Sequence, residues 1–419
     1  MRLPAIFPSS LKQRRLFILV TSIILLFILA LQIINRRFWM HDFEVYYLAA
    51  QAFMNDQPVY GRAYIFDTAF YKYSPFSLYL FVPFSILPYA AAKVIFFLLI
   101  SAATVATLLL AAHLLQSTSE RGQTYSNGLL FIVMGIVSSQ VFRELHLGNV
   151  NMILLLLLLV MLHRLLKGKQ VSAGIVFALV LFIKPHFFIL VPLLLFRKQF
   201  QSLAVTASGI ITGILLPVFL TGFDKNMVLY QAWVQTMQKH NASLREAYDT
   251  IYALLLRRLP DFLTSSIQIS EKAVVIVLLI TVAAVFGWFV IANMLRERKR
   301  QPQQAGQAFV IEFLVLIALV PNLVITDAEH FLLSIPLILF LLGLMRNKTP
   351  LWFRIMVVFS VILYAMNIHD LVGASVSLWL TRNGVLGLGN FMLIGLTVYG
   401  YLNFEIKRIA SSPATNAAN

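Results

Sequence analysis

No cysteine occurs in the 419 residues, which excludes disulfides, thiolate metal ligands and a cysteine nucleophile. Charge is scarce too: Asp, Glu, Lys and Arg make up 12% of the chain, against about 25% in soluble globular proteins. That excludes a large soluble domain with its own chemistry. Acid is the scarcer sign, with 17 Asp and Glu against 33 Lys and Arg, a net charge of +16. Much of the basic excess lies in short loops between apolar runs, as in cytoplasmic loops of membrane proteins. Nucleic acid is therefore not expected as a partner. No internal repeat is clear enough for a transporter built from two halves. No acidic pair has an established metal-ligand spacing, so neither a metal nor a cofactor is expected.

Apolar sequence is abundant. Hydrophobic residues make up 60% of the chain and the mean hydropathy is +0.83. Both values fit an all-α polytopic membrane protein. A bilayer core needs about 20 apolar residues per straight helix, and the sequence offers about 12 such segments, some of them short. They are 16–34, 91–115, 128–142, 149–166, 172–184, 186–196, 202–222, 272–295, 309–325, 331–345, 351–368 and 386–404. Segments 172–184 and 186–196 are short and read as half-helices meeting inside the membrane. Segment 74–88 holds Pro75, Pro83 and Pro88 and reads as re-entrant or interfacial. Residues 1–410 read as one integral membrane domain with a first loop at 35–75, and 411–419 as a polar tail. Lys12, Arg14 and Arg15 precede an apolar run too long for a signal peptide, so a retained anchor is expected.

Positive charge orients the chain. Lys12/Arg14/Arg15, Arg164/Lys167/Lys169, Arg197/Lys198, Arg296/Arg298/Lys299/Arg300, Arg346/Lys348 and Lys407/Arg408 should face the cytoplasm. Both termini are then cytoplasmic, in an inner (plasma) membrane. The remaining polar loops fall together on the other face and carry most of the ionisable residues that burial would perturb.

Asp42 follows the first span in the run His41-Asp42-Phe43-Glu44-Val45-Tyr46-Tyr47. A carboxylate at a membrane surface among aromatic rings suits a general base. Asp is equally a favoured helix cap, and a helix from Phe43 would need one. Arg143-Glu144-Leu145-His146-Leu147-Gly148-Asn149-Val150-Asn151 precedes a leucine run and could line a sugar or phosphate site, or be a loop and cap. Lys184-Pro185-His186 interrupts an apolar stretch. A lysine at membrane depth costs about 2.5–3.5 kcal/mol on insertion scales, so it reads as an anion partner or as a snorkelling side chain. Asp327-Ala328-Glu329-His330 could hold a phosphate or relay a proton, or form a turn. Residues 231–249 could close over a site, and Asn241-Ala242-Ser243 matches a short glycosylation pattern.

Four of these blocks resemble glycosyltransferase family 87. They are Asp42-Phe43-Glu44-Val45-Tyr46-Tyr47 with Pro58-Val59-Tyr60-Gly61, then Tyr73-Ser74-Pro75 with Pro83 and Leu87-Pro88, then Gly148-Asn149-Val150-Asn151, then Ala173-Gly174 with Lys184-Pro185. Family members usually have Gln at the position of Asn149. The family includes polyprenol-phosphate-mannose-dependent mannosyltransferases. The resemblance implies a GT-C helical bundle with an extracytoplasmic active site. It also implies transfer of mannose or another hexose from a polyprenyl-phosphate donor, a substrate and not a cofactor. The acceptor would be a lipid-linked or cell-envelope glycan. On this reading Asp42 is the catalytic base. Lys184, His186, Arg143 and His330 are expected at the donor phosphate. Glu44, Tyr46, Asn149, Asn151, Arg245 and Glu329 are expected at sugar or acceptor. The competing readings are a transporter or flippase of a lipid-linked sugar, a ligase using a diphosphate-linked donor, and a non-catalytic membrane subunit.

Overall fold

The structure, a computed structural model, describes residues 11–67, 69–119, 124–240, 250, 271–297, 303–324, 327–346 and 349–405. Among these the chain is helical, and its extended pairing is an isolated bridge between Ala63 and Phe70. The helices run α1 Leu11–Ile34, α2 His41–Met54, α3 Pro75–Ser85, α4 Tyr89–Thr118, α5 Asn127–Ile136, α6 Ser138–Leu147 and α7 Asn151–Leu166. Then come α8 Gln170–Ile183, α9 Leu190–Phe196, α10 Phe200–Thr221, α11 Phe223–His240, α12 Glu271–Glu297 and α13 Gln303–Leu319. The last are α14 Ile335–Met345, α15 Leu351–Ala365, α16 Ala374–Arg382 and α17 Val385–Gly400. Each apolar segment expected from the sequence is helical over most of its length. Among the described residues, five helices are long and apolar enough to cross a membrane, or six if α5 and α6 count as one bent span. The chain is thus an all-helical, multi-pass membrane protein.

Two segments differ from expectation in an instructive way. Residues 128–142 do not form one helix: the apolar run ends at Val137, which leaves helical geometry at φ −95°, ψ 8°. Ser138, Ser139 and Gln140 then open the polar helix α6, and such side chains compete for the backbone's hydrogen bonds. The 11-residue α3 has Pro75 in its first turn and Pro83 inside. It rises about 16 Å, roughly half a hydrocarbon core.

Contacts cluster into two compact units, Met1–Ala111 with Ser138–Leu244, and Ala112–Val137 with Arg245–Asn419. In the first, α8 packs against α7 and α10. Gly174 makes the α8–α10 approach possible, because a Cβ there would lie 2.5 Å from the Ser202 carbonyl oxygen. The Thr206 hydroxyl donates to the Gly174 carbonyl at 3.1 Å across the same seam. Helix α8 stops at Ile183 because Pro185 disfavours helical geometry in the residue before it, and Lys184 is extended at φ −131°, ψ 92°. A short 3-10 turn, Pro185–Ile189, follows. The break expected between residues 184 and 186 is therefore present.

The first loop is folded by its tyrosines. Tyr60 donates to the Tyr73 carbonyl at 2.7 Å, Tyr64 to the Val59 carbonyl at 2.8 Å, and Tyr47 to the Leu87 carbonyl at 2.8 Å. Phe43 stacks on Phe96 with centroids 4.3 Å apart. In the second unit α17 packs on α13, α14 and α15. There Asn390 donates to the Ala318 carbonyl at 2.8 Å and Tyr364 to the Phe331 carbonyl at 2.7 Å. The tail at 411–419 lies outside the described residues.

Candidate active site

Asp42 is not the cap of α2. That position belongs to Met40, in left-handed geometry at φ 56°, ψ 52°, and Asp42 sits inside the first turn. There its charge complements the helix dipole. Its partner comes from the turn between α6 and α7: Asn149 donates from Nδ2 to Asp42 Oδ2 at 2.7 Å. Gly148 lets that turn come so close. It has φ +70°, and a Cβ on it would meet Met40 Cε and Phe43 Cβ, each at 2.8 Å. The Met40 amide donates to the His146 carbonyl at 3.0 Å and closes the join.

Asn151, two residues beyond Asn149, belongs to a second linkage. Lys184 Nζ donates to Asn151 Oδ1 at 2.5 Å. Asn151 Nδ2 donates to Glu144 Oε2 at 2.9 Å, and the Met152 amide donates to Glu144 Oε1 at 2.9 Å. Exposure is 0% for Glu144, 2% for Asn151 and 6% for Lys184. A buried ammonium and a buried carboxylate are each costly alone. Here one amide joins them, donating to the carboxylate and accepting from the ammonium. Lysine is donor-only and carboxylate acceptor-only, so the two ends fix which way the Asn151 amide points.

Tyr46 lies one helical turn beyond Asp42, and its hydroxyl is 2.8 Å from that of Tyr73. Burial raises both phenols well above the ordinary tyrosine value, and the charges of Asp42 and Glu144 raise them further. The pair therefore stays protonated beside the two carboxylates. His186 Nε2 is buried without a hydrogen-bond partner, a feature suited to an incoming acceptor or donor group.

Asp42, Tyr46, Asn149, Asn151 and Lys184 are thus brought into one connected region of the first unit. Glu44 lies beside Tyr89, on the other side of α2. Arg143 is exposed and lies beside His146. Glu329 and His330 belong to the second unit. There His330 Nδ1 lies 4.0 Å from a Glu329 carboxylate oxygen, and Asp327 and His330 form a capping box on the 3-10 helix Ala328–Ser334. Arg245 and the 241–243 pattern lie outside the described residues. Glu144 is the residue that sequence reasoning passed over. Its signal was available: a lone acid beside Gly148-Asn149-Val150-Asn151, in a chain with only 17 acids.

The family model of glycosyltransferase family 87 matches residues 70–321, more than half of the chain. The match begins beyond Asp42 and includes Tyr73, Glu144, Asn149, Asn151, Lys184 and His186. An alpha-(1->3)-arabinofuranosyltransferase of Corynebacterium glutamicum is 32% identical over 178 residues, 42% of this chain and 40% of that protein. The chain therefore spans well under half the length of this relative. No solved structure matches.

Proposed function

The chain belongs to glycosyltransferase family 87, and from that premise we propose that it transfers a sugar from a polyprenyl-phosphate donor to a glycan or glycolipid acceptor, with inversion. In this reading about 12 segments cross or enter the inner membrane. The first loop faces outward and both termini face the cytoplasm. The bilayer holds the donor's lipid chain between helices.

One observation carries the proposal: a carboxylate and an ammonium are tethered to a single turn. Asp42 is held by Asn149 and Lys184 by Asn151, two residues apart. Inverting transfer needs a base on the acceptor side of the anomeric carbon and positive charge on the leaving-group side. The acceptor hydroxyl gives its proton to Asp42 as its oxygen bonds to the anomeric carbon. The bond from that carbon to the phosphate oxygen breaks, and the lipid monophosphate leaves as an anion. Lys184 meets the developing charge, and His186 and Arg143 are the further candidates for that role. A preorganised cation in a site of low polarity stabilises such charge far better than water-exposed charge does.

The sugar is mannose or another hexose on the resemblance to family members. The corynebacterial relative is named for arabinofuranosyl transfer, so arabinofuranose joins the donors to be tried. The test is transfer by the purified full chain in lipid nanodiscs. Polyprenyl-phosphate mannose and polyprenyl-phosphate arabinofuranose would each be offered with a crude glycolipid acceptor pool. Transfer by wild type and a loss of about 10²–10⁴-fold in Asp42→Asn is expected, the usual contribution of a general base. Substantial residual activity in Asp42→Asn removes its role. Failure of wild type with both donors and then with a panel of other polyprenyl-phosphate hexoses removes the donor reading and favours the transporter.

A further inference from the structure

Around His41, the residue that precedes Asp42, four rings form a cluster that nothing above uses. Trp39 stacks on His41 with centroids 5.5 Å apart and 25° between planes, and is tilted against His146 at 5.2 Å. Phe66, from the first loop, meets His41 edge-on at 5.0 Å. Trp39 is 47% exposed and Phe66 55% exposed. The backbone beneath Trp39 is nevertheless fixed. Its carbonyl accepts the Tyr89 hydroxyl at 3.0 Å, its amide donates to the Arg37 carbonyl at 3.1 Å, and the chain turns through left-handed geometry at Arg36 and Met40. His41 Nδ1 is buried without a hydrogen-bond partner, and His41 directly precedes Asp42.

We infer that Trp39, His41, Phe66 and His146 form a sugar-stacking subsite that seats the terminal ring of the acceptor against Asp42. The inference rests on the transfer reading for the role of the sugar, but its binding claim stands apart from catalysis. An aromatic face carries negative charge density and attracts the polarised C–H bonds on one face of a sugar ring. His41 lies between Trp39 and Phe66, and His146 lies against Trp39, so two imidazoles bring ring nitrogens to the apolar rings. Interfacial tryptophans also anchor proteins at the membrane surface. An anchor, however, needs neither two imidazoles packed on its ring nor a link of one residue to Asp42. The acceptor is assigned here because its hydroxyl must reach Asp42, whereas the donor phosphate belongs near Lys184.

The test is saturation-transfer NMR on the full chain in nanodiscs, with methyl α-mannopyranoside and methyl α-arabinofuranoside as probes and no donor present. Saturation of ring C–H protons is expected for at least one probe with wild type. Trp39→Ala and Phe66→Ala should each weaken binding about three- to tenfold, the worth of an aromatic contact. Trp39→Phe should retain most of it. Thermal unfolding checks that each variant is folded, and Phe66→Ala, on an exposed ring, guards against collapse of the Trp39 variant. The inference is overturned if wild type gives no saturation with either probe. It is equally overturned if both alanine variants bind like wild type, as a membrane anchor would. Normal transfer with unaffected binding in Trp39→Ala and Phe66→Ala removes this subsite alone. Binding that depends on Trp39, in a chain that transfers nothing, removes the transfer reading alone.

Discussion

Replacing Glu144 with Gln changes one atom and removes one charge, yet it should strike the most constrained point of the site. Glu144 accepts two of its hydrogen bonds from the Met152 amide and from Asn151 Nδ2, one at each oxygen. A glutamine has one accepting oxygen. If that oxygen keeps the Met152 amide, its NH2 faces the NH2 of Asn151. Turning Asn151 over relieves that clash only by aiming the same NH2 at Lys184. One charge-assisted bond becomes neutral, losing about 1 kcal/mol, and one buried donor loses its acceptor, costing about 1–3 kcal/mol more. The sum, about 3 kcal/mol, meets the lower end of the cost of leaving a buried charge unpaired. Equilibrium unfolding of the full chain in mixed micelles measures it, in a double-mutant cycle with Lys184→Met. With Lys184 gone, Asn151 can turn freely, so Glu144→Gln should then cost less than half as much. A stable Glu144→Gln single variant, or additivity within about 0.5 kcal/mol across the cycle, would refute the linked-amide argument.

Asn149→Ala should lower kcat about tenfold or more, the worth of a hydrogen bond to a charged group. Donor KM should change little, because Asn149 positions Asp42 and does not hold phosphate. Asn149→Gln, which keeps a donating amide, should recover much of the loss; a change confined to KM would contradict that role. Alkaline pH should destabilise the first loop. Burial raises Tyr64 from 10.0 to about 12, against a small opposing effect of Arg62, and raises Tyr46 and Tyr73 well above 10. The unfolded chain therefore binds fewer protons than the folded one above pH 10. The stability these phenols contribute is complete below that pH and is lost as pH rises through the folded values. Unfolding followed between pH 9 and 12 should show the decline, and Tyr64→Phe should make it shallower; an unchanged slope would contradict the burial of Tyr64.

Most of the helices were legible because a long apolar run in so weakly charged a chain has few other uses. The stop at Lys184 was legible too, since Pro185 acts through local sterics. The division at Val137 was not, because it depends on three polar residues, Ser138 to Gln140, outweighing the apolar run before them. At the site, Asp42, Tyr46, Asn149, Asn151 and Lys184 stood out by residue type and by resemblance. What sequence could not supply was who pairs with whom. Asp42 reads equally well as a cap, and only the left-handed Met40 and the close turn at Gly148 decide otherwise. Glu144 looks like an ordinary charged neighbour of Arg143 until the first turn of α7 is placed against it.

The first loop is held by partners encoded far downstream. Asp42 pairs with Asn149, the Ser74 hydroxyl donates to the Phe182 carbonyl at 2.5 Å, and Trp233 donates to the Lys72 carbonyl at 3.0 Å. The separations are 107, 108 and 161 residues. A ribosome adds about 5–20 residues each second, so these three ties form only several seconds after the loop is made, later than its own short-range tyrosine bonds. In biogenesis, then, the loop is early to be made and late to be fixed. Its neighbours Lys184 and Phe182 mark the earliest chain length at which the site can be assembled.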